Sequence, residues 1–227
     1  MVKKYFQYVM GTFSCHWEKQ VSLSNARVKW LIYKLGDKSN ALILLNSSVV
    51  KCKLNVNGKN NTIKVINGAN LAYTSIQIDG DDNEVILDGC RGILNITLRG
   101  NGCRVRIGKN SSFEDSYLVC MGKKNSITIG ENCMFSGKTE FWNSDTHLIT
   151  PLDEETPCNP SRPIVIGNHV WGGKFSKVLK GVTIDDNSII GMDAVVTHDV
   201  PANSIVAGNP AKVVKTGVTW HHGFIEI

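Results

Sequence analysis

A six-residue repeat is the feature that most limits how this chain can fold. From residue 166 the sequence divides into IGNHVW, GGKFSK, VLKGVT, IDDNSI, IGMDAV and VTHDVP. Five of the six leading residues are aliphatic, and Gly172 is the exception. A period of six fits neither the helical period of 3.6 nor the strand period of two. It is typical of a solenoid, in which each six forms one flat face and three faces complete a coil.

A looser repeat extends this pattern towards the N-terminus. Gly58, Gly80, Gly100 and Gly122 are spaced by 22, 20 and 22 residues, and each precedes an alternating strand (TIKV, EVIL, RVRI and SITI). Glycine allows the positive φ that tight corners need, and the alternation turns one side of each strand inward. The sequence therefore predicts an all-β solenoid over 41–216. The proline-rich, acidic segment 148–163 breaks the period and is predicted to protrude as a loop.

Residues 1–40 differ from the repeat in being rich in aromatic and basic side chains. We predict one or two short helices here, the clearest from about Asn25 to Leu35 and closed by Gly36. One interpretation is a cap that covers the open end of the solenoid. The other is a basic aromatic surface that touches a membrane or a polymeric acceptor. The cap is favoured. Residues 217–227 are predicted to form a tail.

Composition limits the remaining classes of protein. No stretch approaches the ~20 apolar residues of a membrane span, and the N-terminus lacks the apolar region of a signal peptide. Seven cysteines without CxxC spacing argue against a zinc site and a disulfide framework, and favour reduced thiols in a cytoplasm. The net charge of +5 fits either attraction to a polyanion or phosphorylated cofactor, or an ordinary lysine-rich surface.

Three segments carry a resemblance to a known family. NSDTHLI, RPIVIGNHVWGG and DVPANSIVAGNPAKVVK resemble the hexapeptide-repeat acyltransferases, in the branch with maltose, galactoside and capsule-polysaccharide O-acetyltransferases. The motif-bearing part is about 129–216. The resemblance implies a left-handed parallel β-helix, a homotrimer with sites between subunits, and acyl transfer from acetyl-CoA.

The same resemblance places the catalytic histidine at His147, 24 residues before Trp171. A sugar hydroxyl must lose its proton as it attacks a thioester, and an imidazole is suited to accept it. Asp145 either fixes the histidine tautomer or caps the turn, and Asn143 either binds the acceptor or is an ordinary corner residue. Trp171 either flanks the active site or packs in the core. Four other histidines lack this context, and for the last two of them a frayed tail is favoured over a metal pair (His16, His169, His221, His222).

Carried over residue by residue, the resemblance implies a set of coenzyme contacts, with a backbone N–H near Gly173 and Lys174 facing the oxyanion. The set is Gly173, Lys174, Met192, Thr197, His198, Lys212 and Lys215. Lys174 and Met192 are larger than the residues that relatives often carry. Lys212 and Lys215 suit the phosphates of coenzyme A, or belong to a solvated strand.

Gly172 departs from the family pattern, which has an aliphatic residue at this inward position. An unfilled space of that size would cost about 2–5 kcal/mol. We expect that Lys174 or Phe175 repacks into the space, or that the gap widens the acyl channel.

The sequence thus favours an acetyl-CoA-dependent O-acetyltransferase acting on a carbohydrate, such as a bacterial surface polysaccharide. Direct attack by the acceptor requires neither a metal nor a covalent enzyme intermediate, and no nucleic acid partner is expected. The expected location is the cytoplasm, either free or at the inner face of the membrane through residues 1–40. Two alternatives stay open: N-acetylation of a nucleotide-linked amino sugar, and a non-catalytic β-helix scaffold.

Overall fold

The computed structural model describes residues 7–17 and 20–223, with side chains from residue 20 onward, and this part is built from β-strands. The first strands are Gln7–Trp17 (β1), Val21–Lys34 (β2) and Ala41–Asn57 (β3). The middle strands are Thr62–Ile66 (β4), Asn70–Ala72 (β5), Ser75–Asp79 (β6), Glu84–Asp88 (β7), Arg91–Asn101 (β8), Arg104–Ile107 (β9), Ser112–Lys123 (β10), Ser126–Ile129 (β11), Met134–Phe135 (β12) and Thr139–Trp142 (β13). The last strands are Ile164–Ile166 (β14), Trp171–Gly172 (β15), Lys177–Leu179 (β16), Thr183–Ile184 (β17), Ile189–Ile190 (β18), Val195–Val196 (β19), Ser204–Ala207 (β20) and Lys212–Thr216 (β21).

The strands wind into a parallel solenoid of about eight coils with three faces. On the first face β4, β7, β9, β11, β14 and β17 pair in succession. The second face holds β12, β15, β18 and β20, and the third holds β13, β16 and β19. We call the corners between the second and third faces (Gly137, Lys174, Met192) the second edge. The corners between the third and first faces (Lys124, Asn143, Lys180, Thr197) are the third edge.

The alternation of each strand explains why these sequences form coils. In β4, β6 and β7 the burial pattern is strictly alternating, and the inward side chains are aliphatic. Inward residues of successive coils stack, so that Ile63, Val85, Val105 and Ile127 form one buried column. Such a column buries apolar surface continuously along the axis, which one coil alone could not do.

The predicted N-terminal helices are wrong, because the described residues contain no helix and residues 21–34 form the strand β2. Its inward residues include Val21, Leu23, Ala26 and Val28, which show the inward spacing of a coil. Asn25 and Trp30 adopt positive φ values of 46° and 64° at the corners. Such corners end a helix, since helical residues need φ near −63°. No helix that could span a membrane occurs in this part of the chain.

Strand β1 pairs antiparallel with β2 and so lies on the N-terminal end of the first coil, where the predicted cap would lie. At the other end, β21 folds back antiparallel on β20. Between β13 and β14 the chain leaves the coil without forming a strand, and this segment contains the predicted loop 148–163.

The space at Gly172 is filled, although by neither of the expected residues. A Cβ built on Gly172 would lie 2.4 Å from Cδ1 of Phe135, the residue that pairs with it in the adjacent coil. Phe135 is buried and stacks on Phe113 with ring centroids 5.3 Å apart. Lys174 and Phe175 are exposed. Both expectations for Gly172 are therefore wrong, because a phenylalanine ring from the coil before occupies the volume of the missing side chain.

Several cysteines line the interior as small apolar residues. Cys90, Cys103, Cys120 and Cys133 are buried at inward or corner positions, whereas Cys158 is exposed in the loop. Burial raises the pKa of the Cys90 thiol to about 12 and that of the Cys133 thiol to about 11. Since the thiolate is the reactive form, these two residues serve packing.

Candidate active site

The predicted catalytic residue, His147, lies on a tight turn just after β13. The backbone N–H of His147 donates to the carbonyl of Asp145 at 2.8 Å, and Thr146 between them has a φ of 64°. A hydrogen bond across one residue with positive φ describes the classic γ-turn, which is rare and strained. A β-branched residue in this region is an outlier that the surrounding structure must hold in place.

Asn159, from the protruding loop, holds this turn. Its Nδ2 donates to Oδ2 of Asp145 and to the carbonyl of His147, both at 2.8 Å. Its Oδ1 accepts the backbone N–H of Ile149, also at 2.8 Å. One side chain therefore connects both ends of the γ-turn to Ile149, two residues beyond it. Asn159 could not be predicted as a functional residue, since an isolated asparagine in a proline-rich loop carries no motif.

Asp145 forms an ion pair with Lys180, which lies on the third edge in the next coil. The hydrogen bond from Lys180, supplemented by that from Asn159, holds the pKa of the Asp145 carboxyl below its ordinary value. The carboxylate is thus ionised at neutral pH and ties the turn to the rigid body of the solenoid. The structure places Asp145 in contact with Lys180 and Asn159, and its described bonds do not include the His147 ring.

The imidazole of His147 is exposed, and it has no hydrogen-bond partner among the residues whose side chains are described. Its backbone is held on both sides, so the ring projects from a fixed point at the third edge. This arrangement leaves both ring nitrogens free to meet a ligand or a neighbouring molecule.

Asn143 is fully buried at the start of the loop, where its polar groups are used within the coil. Its Oδ1 accepts the backbone N–H of Met121 at 2.7 Å, and its carbonyl accepts the N–H of Arg162 at 3.0 Å. Asn61 and Asn83 fill similar corners in earlier coils, where their Oδ1 atoms accept backbone N–H groups. The structure thus places Asn143 as a corner residue, away from the surface.

Trp171 lies on the second face, and its indole Nε1 is buried without a partner among the described residues. Next to it is Trp220, whose ring centroid lies 6.2 Å away. Trp220 is buried, stacks on His169 at 4.3 Å and donates its Nε1 to the His169 carbonyl at 2.8 Å. The predicted tail therefore docks on the solenoid at this residue. His222 packs edge-on against Trp220, and in residues 20–223 no group of side chains suits a metal ion.

The predicted coenzyme residues divide between two edges of the solenoid. Gly173, Lys174 and Met192 lie on the second edge, and Lys212 lies beside them because it pairs with Ala207 at the end of β20. Thr197 and His198 lie on the third edge with His147, and their side chains hydrogen-bond to each other at 2.8 Å. Lys215 is exposed in β21 opposite Ile205, on the second face.

These two edges are separated by the width of one face. About five residues per face at roughly 3.3 Å each give a separation of about 17 Å. A single copy of the chain therefore does not bring His147 next to Lys174, Met192 and Lys212. A neighbouring copy that sets its second edge against this third edge would complete the set.

Comparison with known proteins relates the chain to bacterial transferases. The family model for the bacterial transferase hexapeptide (six repeats) matches residues 163–198. A polysialic acid O-acetyltransferase of Escherichia coli O1:K1 is 31% identical over 119 residues, which are 52% of this chain and 38% of that protein. The galactoside O-acetyltransferase of Escherichia coli K12 is 34% identical over 119 residues, which are 50% of this chain and 55% of that protein.

Two solved structures extend the likeness over nearly the whole chain. The crystal structure of a polysialic-acid-specific acetyltransferase superposes with a TM-score of 0.78 and 26% identity, covering 87% of this chain and 89% of that one. A second polysialic acid O-acetyltransferase superposes with a TM-score of 0.71 and 25% identity, covering 91% of each chain. Residues 163–198 thus match the hexapeptide repeat of the bacterial transferases, and the chain is similar to bacterial O-acetyltransferases. The left-handed β-helix predicted from the sequence is confirmed.

The matching segments cover only 38% and 55% of the two curated O-acetyltransferases. The family match at 163–198 begins at the base of the protruding loop, and it includes Trp171, Gly173, Lys174 and Met192. Gly173 packs closely on the next coil, because a Cβ there would lie 2.7 Å from the Met192 nitrogen. Its N–H donates to the Ile190 carbonyl at 2.8 Å, so it is occupied within the coil.

Proposed function

We propose that this protein transfers an acetyl group from acetyl-CoA to a hydroxyl of a carbohydrate, and that a surface polysaccharide is the acceptor. The observation that carries the proposal is an exposed histidine on a strained turn that Asn159 and Lys180 hold in place. Nothing in the fold of the solenoid requires this turn, and strained backbone of this kind is concentrated at functional sites. The likeness to O-acetyltransferases of polysialic acid and galactosides supports the same chemistry.

In this mechanism the acceptor hydroxyl attacks the thioester carbonyl directly while the His147 imidazole takes the hydroxyl proton. The new C–O bond forms as the carbonyl becomes an oxyanion, and the intermediate collapses by breaking the C–S bond. The imidazolium then returns the proton to the departing thiolate, which leaves as free coenzyme A. The N–H of Lys174 is the better candidate donor to the oxyanion, since that of Gly173 is used within the coil.

The proposed active unit is a homotrimer in the cytoplasm, where acetyl-CoA is available. His147 of one copy would face Lys174, Met192 and Lys212 of the next, because these residues lie on different edges of a single copy.

The test of this proposal is release of free thiol from acetyl-CoA across mono-, oligo- and polysaccharides, with a thermal-shift measurement alongside. We expect thiol release only when an acceptor sugar is present. Acetyl-CoA at 100 times its Kd should stabilise the fold by about 2.7 kcal/mol. A protein that neither binds acetyl-CoA nor turns it over with any sugar would be a scaffold, and the proposal would be wrong.

Asn159 is expected to act as a positioning residue in this reaction. Replacing it with alanine removes three hydrogen bonds around the γ-turn, so the backbone that carries the His147 imidazole is no longer held in one position. We expect kcat to fall about 10–100-fold, since a displacement of 1 Å can cost a factor of 10². The KM for acetyl-CoA should stay unchanged, as should the activity of the control variant Glu154→Gln, which alters an exposed side chain of the same loop. Equal activity of Asn159→Ala and the wild type would show that the turn holds itself.

A further inference from the structure

A groove of about 520 Å³ lies on the third edge, in the coils that precede the His147 turn. Its lining residues are Asp82, Asn101, Gly102, Arg104, Lys123 and Lys124. Gly102 leaves room for the stem of Lys124, whose Cγ would lie 3.3 Å from a Cβ at the glycine. Lys124 donates its N–H to the Asn101 carbonyl and Arg104 donates its N–H to the Asn125 carbonyl, both at 2.9 Å. The backbone under these side chains is therefore rigid.

The groove carries an excess of positive charge. Arg104, Lys123 and Lys124 contribute three cations against the single carboxylate of Asp82, so the lining has a net charge of +2. The Asp82 carboxylate accepts the Asn60 amide at 3.1 Å. In the part of the chain with described side chains, none of the three cations forms an ion pair. The basic groups thus remain available to an external anion, unlike Lys180, whose charge is paired with Asp145.

This groove lies on the same edge as the proposed catalytic turn, in the coils just before it. The corner formed by Lys123, Lys124 and Asn125 lies one coil from the corner of Asn143, and coils are spaced by about 4.8 Å. The N–H of Met121 donates to Oδ1 of Asn143 at 2.7 Å, which fixes the two corners together. His147 follows Asn143 by four residues. An extended ligand lying in the groove would therefore continue to the imidazole along the same edge.

We propose that this groove binds the acceptor polymer and that the polymer is an anionic polysaccharide, so that carboxylate groups of successive sugars contact Arg104, Lys123 and Lys124. The inference rests on the proposed function and adds to it the location and charge class of the acceptor. Arginine binds carboxylates through two parallel hydrogen bonds, and each lysine adds a mobile cation. The phosphates of coenzyme A are a poorer occupant, because Lys174 and Lys212 lie in coils that follow the His147 turn, whereas the groove lies in coils that precede it, so a neighbouring copy at the same height does not bring them to the groove.

The experiment compares the double variant Lys123→Gln/Lys124→Gln with a control, Lys29→Gln/Lys109→Gln, which removes two exposed cations elsewhere. Polysialic acid serves as the anionic probe and dextran of similar length as the neutral one. Direct binding to immobilised polymer is measured without acetyl-CoA, and acetyl transfer is measured separately. We expect the groove variant to bind polysialic acid about tenfold more weakly at low salt, with a weaker salt dependence, while the control equals the wild type.

The remaining outcomes separate this inference from the proposed function. Weaker polysialic acid binding by the groove variant would support the groove even if no acetyl transfer occurred. Acetyl transfer that is equal on dextran and polysialic acid, and unchanged in the groove variant, would overturn the proposal that the groove binds the acceptor. The proposed transferase activity would then still hold. Three other results for the groove variant would also overturn the inference: a lost affinity for acetyl-CoA, a change in oligomeric mass, or weaker binding to anionic phospholipid vesicles alone. They would assign the cations to the coenzyme, to a neighbouring copy or to a membrane, respectively.

Discussion

Replacing His147 with alanine should lower kcat by a factor of about 10²–10⁴, the usual contribution of a general base. The affinity for acetyl-CoA and the thermal stability should remain at the wild-type level, because the ring is exposed and makes no described hydrogen bond. The measurement is steady-state thiol release with the best acceptor of the panel. His221→Ala is the matched control, since His221 is an exposed histidine far along the chain from the γ-turn.

A structural role for His147 is separated from a catalytic one by chemical rescue. His147→Gly should regain part of its activity when free imidazole is added, because the exposed position is open to a small base from solvent. Wild-type activity of both His147 variants would remove the histidine from the mechanism. Reduced stability in both, without rescue, would mean that the residue holds the loop.

The same variant tests whether the site is shared between copies. His147→Ala and Lys174→Glu are each expected to be inactive alone, the first through the base and the second through the coenzyme contact. When they are co-expressed and mix at random, about a quarter of the interfaces in a closed ring combine an intact His147 edge with an intact Lys174 edge. Activity near that fraction of wild type is expected. No recovery in the mixture would place the complete site within one chain.

The regular coils and their edges could be predicted from the sequence because solenoid stacking repeats the same physical demand in every coil. The leading aliphatics Ile166, Val178, Ile184 and Ile190 are all inward and buried, as their six-residue spacing indicates. The N-terminal coil was predicted wrongly because Val28, Leu31 and Leu35 also fit a helical spacing. What distinguishes the coil is a positive φ at Trp30. Bulky residues rarely adopt positive φ, so a tryptophan in the sequence gives no sign of such a corner.

Contacts between distant segments could not be predicted, since they depend on which side chains the coils bring together. Asn159 meets the His147 turn only because the loop folds back, and Lys180 meets Asp145 only because it lies in the following coil. Trp220 docks on His169 from beyond the last strand. No spacing along the sequence records these encounters. The predicted coenzyme residues likewise gain their arrangement from the edges on which they lie.

Filling Gly172 should destabilise the protein, although the family pattern favours an aliphatic residue there. Gly172 does not have a positive φ, so its backbone would accept a side chain without strain. The obstacle is the Phe135 ring, 2.4 Å from the position of a new Cβ and held between Phe113 and Phe141 at 5.3 and 5.1 Å. We expect Gly172→Ala to cost about 2 kcal/mol and Gly172→Ile about 3 kcal/mol, the usual effect of overpacking a tight core.

Thermal and urea unfolding measure the loss, and a loss of 1 kcal/mol should lower Tm by about 2–4 °C in a chain of this size. Gly137→Ala is the matched control. The atoms nearest to its Cβ would belong to Glu114, the first at 3.3 Å, and a shift of a few tenths of an ångström by this flexible side chain would relieve the contact while it still accepts the Gly137 N–H. We expect that control to remain within about 0.5 kcal/mol of the wild type.

The contact itself is isolated by combining the change with a smaller partner. Phe135→Ala alone should cost about 3–5 kcal/mol through the cavity it leaves. Gly172→Ile supplies much of that volume from the facing coil, so the double variant should be more stable than the sum of the two losses by about 2 kcal/mol. If the two losses of stability simply added, the Phe135 ring and a side chain at position 172 would not be competing for the same volume. Stabilisation by Gly172→Ile alone would show that the space at Gly172 is open, and the arrangement of Phe135 described above would be wrong.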